Sequence, residues 1–304
     1  MIKEIECKSK EFINFKRLNN LIAKRYTFDE NMSKVNWSLV RKASNVSEKL
    51  PLLKPGSIYK LRKFDNVNCE EIIPFNKNND DIILFIHGGG FVTGSAKLSR
   101  NFCAYIGENL KSRVISVDYT LAPDEMAPKQ ADQVLRVYMR LINLYPNSDI
   151  IISGVSAGGN LALVTALRAI KNHLKVPKCL ILYSPLLDVL GKTKKINIID
   201  DEIVRPTVYK GLKDIYVGNY DKNSIIINSL KYLNKNMPPI VSVIGEEETF
   251  YSENMYLYDY YMNNNMNMLL IKLKDSYHAS AELGNLTKET KEVMNYIKNY
   301  VSKI

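Results

Sequence analysis

The stretch Ile150-Ile151-Ile152-Ser153-Gly154-Val155-Ser156-Ala157-Gly158-Gly159-Asn160-Leu161 joins an apolar run of strand length to an apolar helical pattern through a glycine-flanked serine. A sharp strand-to-helix turn holds its central residue at a strained backbone angle, and its neighbours must be small so that strand and helix can approach. Gly154, Ala157 and Gly158 meet that demand, which makes Ser156 a nucleophile presented at a turn. A bare G-x-S-x-G arises by chance in roughly a few per cent of chains of this composition. Its position directly after a strand and before a helix gives it weight against the plainer reading, a glycine turn with a helix-capping serine.

Runs like Ile150 to Ile152 recur at Ile82 to Ile86, Val114 to Val117, Leu180 to Tyr183, Ile240 to Ile244 and Leu269 to Ile271. Continuous apolar runs of this length predict strands buried on both faces. Between them lie helical patterns: Val134, Tyr138, Leu141 and Tyr145 share a face, and Val293, Ile297, Tyr300 and Ile304 form a stripe. Strands alternating with helices predict an α/β fold, a mostly parallel sheet flanked by helices on both faces. Residues 1–50 show helix-like spacing at Phe12, Phe15, Leu18, Leu21 and Ile22, and later at Trp37, Leu39 and Val40. The chain turns at Pro51 and Lys54-Pro55-Gly56, and from Asp188 to Leu233 it is polar and lysine-rich. We therefore expect a catalytic domain of residues 51–187 and 234–304, covered over the carboxyl ends of its strands by an N-terminal cap segment, 1–50, and a helical cap insertion, 188–233.

His87-Gly88-Gly89-Gly90-Phe91 stands at the end of the run Ile82 to Ile86. With the histidines and glycines available, His-Gly-Gly-Gly is expected by chance on the order of 3 times in 10,000 chains, so its pairing with the serine turn is not accidental. Successive glycines leave backbone N–H groups unobstructed, and two or three such donors converging on one oxygen stabilise a tetrahedral oxyanion. The expected donors are Gly88, Gly89 and Ala157. A glycine-rich phosphate loop is the rival, but neither a Walker lysine nor G-x-G-x-x-G follows.

A serine hydroxyl needs a base, and at neutral pH the natural base is histidine. The chain has three, at 87, 173 and 278. His87 belongs to the glycine loop, and His173 lies at the far end of the helix that Ser156 begins, about 25 Å away at the helical rise. His278, after the run Leu269 to Leu273, is the expected base. The orienting acid should follow another strand, and Gly245-Glu246-Glu247-Glu248-Thr249 offers three adjacent carboxylates, with Asp188 and Asp275 as outside candidates. Spacing does not choose among the glutamates. The order serine, acid, histidine is that of the α/β-hydrolase arrangement.

Composition bounds the remainder. The chain has 304 residues, 46% of them hydrophobic, enough for a large core. Cys7, Cys69, Cys103 and Cys179 show no C-x-x-C spacing and read as buried thiols of a cytoplasmic protein, and no histidine pair has metal-site spacing. No apolar run is long enough to span a bilayer, and the charged start MIKEIECKSKEF lacks a signal peptide's apolar region, so stable membrane insertion is not expected. The net charge of +10 is dispersed without a basic block or a nucleic-acid motif, and no nucleic-acid partner is expected. A homodimer through an edge strand or the last helix stays open.

Several motifs together resemble the hormone-sensitive-lipase-like esterases of the α/β-hydrolase fold, over residues 80–300. They are His-Gly-Gly-Gly-Phe at 87–91, Asp118 to Asp124 with Pro128, Ser156 to Ala162, Tyr183-Ser184-Pro185, Met237-Pro238-Pro239, Gly245 to Glu248, and His278. In that family the acid lies three residues past the glycine and opens a segment that Glu248-Thr249-Phe250-Tyr251-Ser252-Glu253-Asn254 matches, which singles out Glu248. Two departures bear on how firmly the oxyanion and substrate loops are held. Val155 stands where the family usually has an acid, and Thr120 where it has an arginine.

The resemblance implies a serine carboxylesterase acting on short- to medium-chain esters through an acyl-enzyme, with catalytic Ser156, Glu248 and His278, supporting His87 and Gly90, a small-molecule ester as partner, and neither metal nor organic cofactor. Two alternatives follow from the same resemblance. An amidase, deacetylase or formamidase uses the same triad, and some family members are catalytically weak or silent and bind a small molecule in the same pocket. The silent ones lack the histidine that His278 supplies here.

Overall fold

A computed structural model describes residues 1–23, 27–47, 56–193, 201 and 203–304 of the chain. The turn expected at Pro51 and Lys54-Pro55 lies outside the described residues, as do residues 194–200 of the expected cap insertion. In chain order the elements are β1 (Ile2–Glu6), α1 (Lys10–Ala23), α2 (Trp37–Ser47), β2 (Ser57–Phe64), β3 (Val67–Pro74), β4 (Ile82–Ile86), α3 (Arg100–Leu110), β5 (Arg113–Asp118), α4 (Lys129–Leu144), β6 (Ile150–Val155), α5 (Ala157–Lys171), β7 (Cys179–Tyr183), α6 (Val208–Leu212), β8 (Ile240–Gly245), α7 (Tyr251–Asn263), β9 (Met268–Lys274) and α8 (Lys288–Val301).

The strands form one nine-stranded sheet in the order β1-β9-β8-β7-β6-β4-β5-β3-β2. Every pairing from β1 to β5 across it is parallel, while β3 runs antiparallel to both β5 and β2. The expected mostly parallel sheet with flanking helices is thus present. Its central strands are buried on both faces because alternate side chains feed two cores. Ile82, Leu84 and Ile86 of β4 join α4, α5 and α7 residues such as Val134, Leu161 and Leu257 in one. Ile83 and Phe85 join Phe102 of α3 and Val293 of α8 in the other. Each fully buried side chain of this kind contributes about 1.5–3 kcal/mol of transfer free energy, before the cost of ordering the chain.

The N-terminal boundary needs correcting. Residues 2–6, expected in the cap segment, form β1 at the sheet edge, paired in parallel with β9. Their alternation of charge and apolar residues suits a half-exposed edge strand: Ile5 is buried, and Glu4 pairs with Lys272 at 2.9 Å and Lys274 at 2.8 Å. Only from α1 onward does the segment leave the sheet, and there Phe12 is fully buried whereas Leu18 and Leu21 are 53% and 66% exposed.

The segments 1–50 and 188–233 meet each other. Phe28 donates to Ile203 O at 2.9 Å and accepts from Arg205 N at 2.9 Å, a short parallel bridge. The second segment is apolar inside despite its lysines, burying Val204, Val208, Leu212, Ile215, Tyr216 and Ile227 against the α4–α5 core.

From β4 the chain passes through α3, on one face, to β5, and returns through α4, on the other, to β6. Since β5 and β6 flank β4 on opposite sides, the crossovers diverge at the carboxyl ends of β4 and β6 and leave a crevice there. The first turn of α5 packs so tightly under it that a Cβ on Gly158 would lie 2.1 Å from Ile86 O. Gly158→Ala should therefore displace α5 and destabilise the protein by about 3 kcal/mol or more. Urea denaturation with an unchanged midpoint would contradict this reading of the contact.

Candidate active site

Ser156 follows β6 directly and adopts φ 53° and ψ −117°, a backbone conformation that costs a non-glycine residue on the order of 1–3 kcal/mol. Hydrogen bonds over-determine it. Ser156 N donates to Tyr183 O at 2.9 Å, and Ser156 O accepts from Gly159 N at 2.9 Å and Leu186 N at 3.1 Å. The hydroxyl stands at the N-terminal end of α5, in the crevice.

His278 comes from the loop after β9, and its Nε2 is 2.9 Å from Ser156 Oγ. Its Nδ1 is 2.7 Å from Glu248 Oε2. Glu248 follows β8, and its other oxygen accepts from Gly245 N at 2.7 Å and from the Ser184 hydroxyl at 2.8 Å. All three residues are buried. Donors to both oxygens of Glu248 fix the carboxylate, which in turn holds Nδ1 as the protonated nitrogen and leaves Nε2 free to take the serine proton.

The other candidates are elsewhere. Glu246 pairs with Lys272 at 2.9 Å and Glu247 with Lys16 at 2.8 Å, both outward from the site. Asp188 accepts from the Thr193 hydroxyl at 2.8 Å and Leu190 N at 3.2 Å, closing a turn. Asp275 is exposed, and His173 is exposed beyond the end of α5. His87 is buried and stacked on Tyr119 at 4.1 Å, with Nδ1 2.8 Å from Gly88 O. Because a carbonyl only accepts, Nδ1 carries the proton. Burial pushes the His87 pKa down to about 4, so this ring is a neutral prop of the glycine loop.

Among the described residues, no group accepts a hydrogen bond from the N–H of Gly88, Gly89 or Ala157. Gly89 has φ +105°, and a Cβ there would stand 2.2 Å from Thr93 O, so the loop demands glycine. Gly90 lines the same cavity, of about 490 Å³, which is walled by Phe28, Val204, Val208 and Leu212 on one side and by Leu98, Phe250 and Tyr277 elsewhere. Among the described residues no group of three His, Cys, Asp or Glu side chains could hold a metal ion, and no helix is long and apolar enough to cross a membrane.

Two positioning residues escaped the sequence reading. Ser184 bridges the acid and base loops, donating to Glu248 and accepting from Ala279 N at 3.0 Å. It sits in the Tyr183-Ser184-Pro185 motif, which carried the signal without a role attached. Arg41 of α2 donates to Val92 O at 2.7 Å and to Ala122 O, and pairs with Asp124 at 2.6 Å. It ties the glycine loop to the segment where Thr120 replaces the family's arginine, and Thr120 itself donates to Gln133 Oε1 from its backbone N–H at 2.8 Å and its hydroxyl at 3.0 Å. Nothing near Arg41 in sequence marks it.

A family profile described as the alpha/beta hydrolase fold matches residues 83–282. The chain belongs to this family. Among curated proteins, this α/β hydrolase is 31% identical to an esterase of Acinetobacter venetianus over 172 residues, 55% of this chain and 56% of the relative. It is 33% identical to the 3-O-acetylpapaveroxine carboxylesterase of Papaver somniferum over 141 residues, 40% of this chain and 45% of that one. The matched segments thus span about half the length of these curated relatives. Among solved structures, a hormone-sensitive lipase from a metagenome library superposes with a TM-score of 0.85 at 22% identity, covering 96% of this chain and 97% of its own. An esterase from the bacterial hormone-sensitive lipase family gives 0.81 at 21%, covering 90% and 94%. The resemblance to hormone-sensitive-lipase-like proteins drawn from the motifs is borne out.

The electrostatics of the hydrolase's buried pair yield a pH prediction. Burial alone would lower the His278 pKa, but the hydrogen bond and charge of Glu248, with Asp201 and Glu282 adding to it, outweigh burial and hold it above the ordinary imidazole value. A general base works only when unprotonated. Activity should therefore fall as pH drops through a value above about 6.5, the ordinary imidazole pKa. Glu248→Gln removes that charge, so kcat should fall by about 10²–10⁴ and the acid limb of kcat/KM should shift to lower pH. An unmoved limb would separate Glu248 from the base.

Proposed function

We propose that the chain is a serine carboxylesterase that hydrolyses short- to medium-chain esters by two-step acyl transfer. The observation that carries this reading is the unbroken line from Glu248 Oε2 through His278 to Ser156 Oγ, at 2.7 and 2.9 Å, beside unengaged N–H groups. Ser156 attacks the ester carbonyl as His278 takes its proton, and Glu248 holds the imidazole tautomer and stabilises the imidazolium. Gly88, Gly89 and Ala157 donate to the oxyanion, each such donor contributing about 3 kcal/mol to lowering the barrier. His278 then protonates the leaving alcohol. Water, activated by the same histidine, releases the acid and restores the serine.

The segments 1–50, after β1, and 188–233 act together as the cap that walls the acyl and alcohol pockets. Supporting this, the Thr249 hydroxyl donates to Val204 O and Thr249 N to Asp201 Oδ2 at 3.1 Å, anchoring the second segment to the loop that begins at Glu248. A cavity of about 490 Å³ with an apolar cap wall favours acyl chains below about ten carbons. The four buried cysteines, all free, fit a reducing compartment such as the cytoplasm.

Ser156→Ala should leave the thermal unfolding transition in place and abolish p-nitrophenyl butyrate hydrolysis. A series of p-nitrophenyl esters should peak below ten carbons, and matched ester and amide substrates should favour the ester. Undiminished turnover by Ser156→Ala would remove the assignment, and an amide preference would move it to an amidase. The wild-type serine should also react with a fluorophosphonate probe, which a silent binding pocket does not do.

A further inference from the structure

The wall of the catalytic cavity carries one carboxylate that the proposed reaction does not use. Glu282 lies in the short helical turn Ser280–Leu283, four residues after His278, and lines the same cavity as Ser156 and His278. The turn is held by Glu282 N donating to Ala279 O at 3.0 Å and by the Ser276 and Ser280 hydroxyls, 2.6 Å apart. Among the described residues, neither Lys nor Arg lines the cavity, although the chain carries 42 of them. Nor does the Glu282 carboxylate have a hydrogen-bond or salt-bridge partner among the described residues. It stays open to water through the cavity mouth, yet protein surrounds it closely enough to raise its pKa above the usual carboxylate range.

Apart from His278, whose charged form interacts with Glu282, the cavity lining supplies no cationic group among the described residues, so a ligand can bring the countercharge. Once ionised, above a pKa raised to about 7, the Glu282 carboxylate attracts a cationic ammonium group by charge, whether or not that group has an N–H to donate. Tyr277, Phe28 and Phe250 line the same cavity and offer aromatic faces, which also attract cations. Resting on the esterase reading, we propose that Glu282 selects esters whose alcohol portion carries a cationic ammonium group. The alcohol side follows from the chemistry. His278 must deliver its proton from Nε2 to the leaving oxygen, so the leaving group departs past the loop that carries both His278 and Glu282.

The test compares butyrylcholine with its uncharged isostere, 3,3-dimethylbutyl butyrate, as a ratio of kcat/KM in which general losses of activity cancel. The wild type should favour the choline ester by about tenfold or more, and Glu282→Gln should lower that ratio about tenfold. A wild-type ratio near one, or a ratio that Glu282→Gln leaves unchanged, would overturn the proposal. So would a preference that appears only when the trimethylammonium group is moved to the acyl chain. Calorimetric binding of choline against 3,3-dimethylbutan-1-ol to Ser156→Ala, with and without Glu282→Gln, gives a readout that needs no turnover. Choline binding lost with Glu282→Gln supports the cation site even if no ester is hydrolysed, an outcome that would sink the esterase reading alone. Equal binding of the two alcohols would overturn the cation site while leaving ester hydrolysis standing.

Discussion

The backbone of α5 comes within touching distance of two strands at once. A Cβ at Gly158 would stand 2.1 Å from Ile86 O, and one at Gly154 would stand 2.3 Å from Gly158 O. Only hydrogen atoms fit in these places, so β4, β6 and the first turn of α5 lock together. That lock forces the chain at Ser156 through a positive φ and sets the serine at the mouth of the crevice. It also brings the glycine loop against the elbow, where a Cβ on Gly88 would be 3.1 Å from Val155 O. The serine and the N–H groups of the glycine loop share one rigid origin, which is the preorganisation that the proposed acyl transfer needs.

The rest of the site is assembled on that platform by loops that hold one another. Ser184 ties the loop after β7 to Glu248 after β8 and to Ala279 beside His278. Arg41 ties a helix of the N-terminal segment to the glycine loop and to Ala122. Because parallel strands place all their carboxyl ends at one edge, these loops meet although they come from residues 41 to 279. The same burial that makes the loops rigid separates the fates of two histidines. His87, surrounded by apolar atoms and a tyrosine, stays neutral, whereas His278, beside a carboxylate, is held above its ordinary pKa. One residue type thus has its proton affinity moved in opposite directions by its neighbours, as the proposed division between a prop and a base requires.

How much of this was legible from the residues differs by kind of signal. The strands β4 to β9 were readable because burial on both faces leaves a continuous apolar run, a signature that needs no partner to be seen. Ser156 and His278 were readable because local backbone demands and the scarcity of histidines narrowed the choices. β1 was missed because an edge strand keeps half its residues in water, and Glu4 and Lys272 recognise each other only once the chain ends of the sheet meet.

The sequence by itself determined the α/β architecture, the elbow at Ser156 and the glycine loop at 87–90, since each rests on local sterics or on a short apolar period. Spacing could not choose among Glu246, Glu247 and Glu248; only the resemblance favoured the last. Tertiary structure alone showed where each points: two toward surface lysines and one toward His278. It also revealed Arg41, Ser184 and the unpartnered Glu282 at the cavity wall. Direction and distance across the fold are set by how β8, β9 and the cap segments pack, and no run of adjacent residues encodes them.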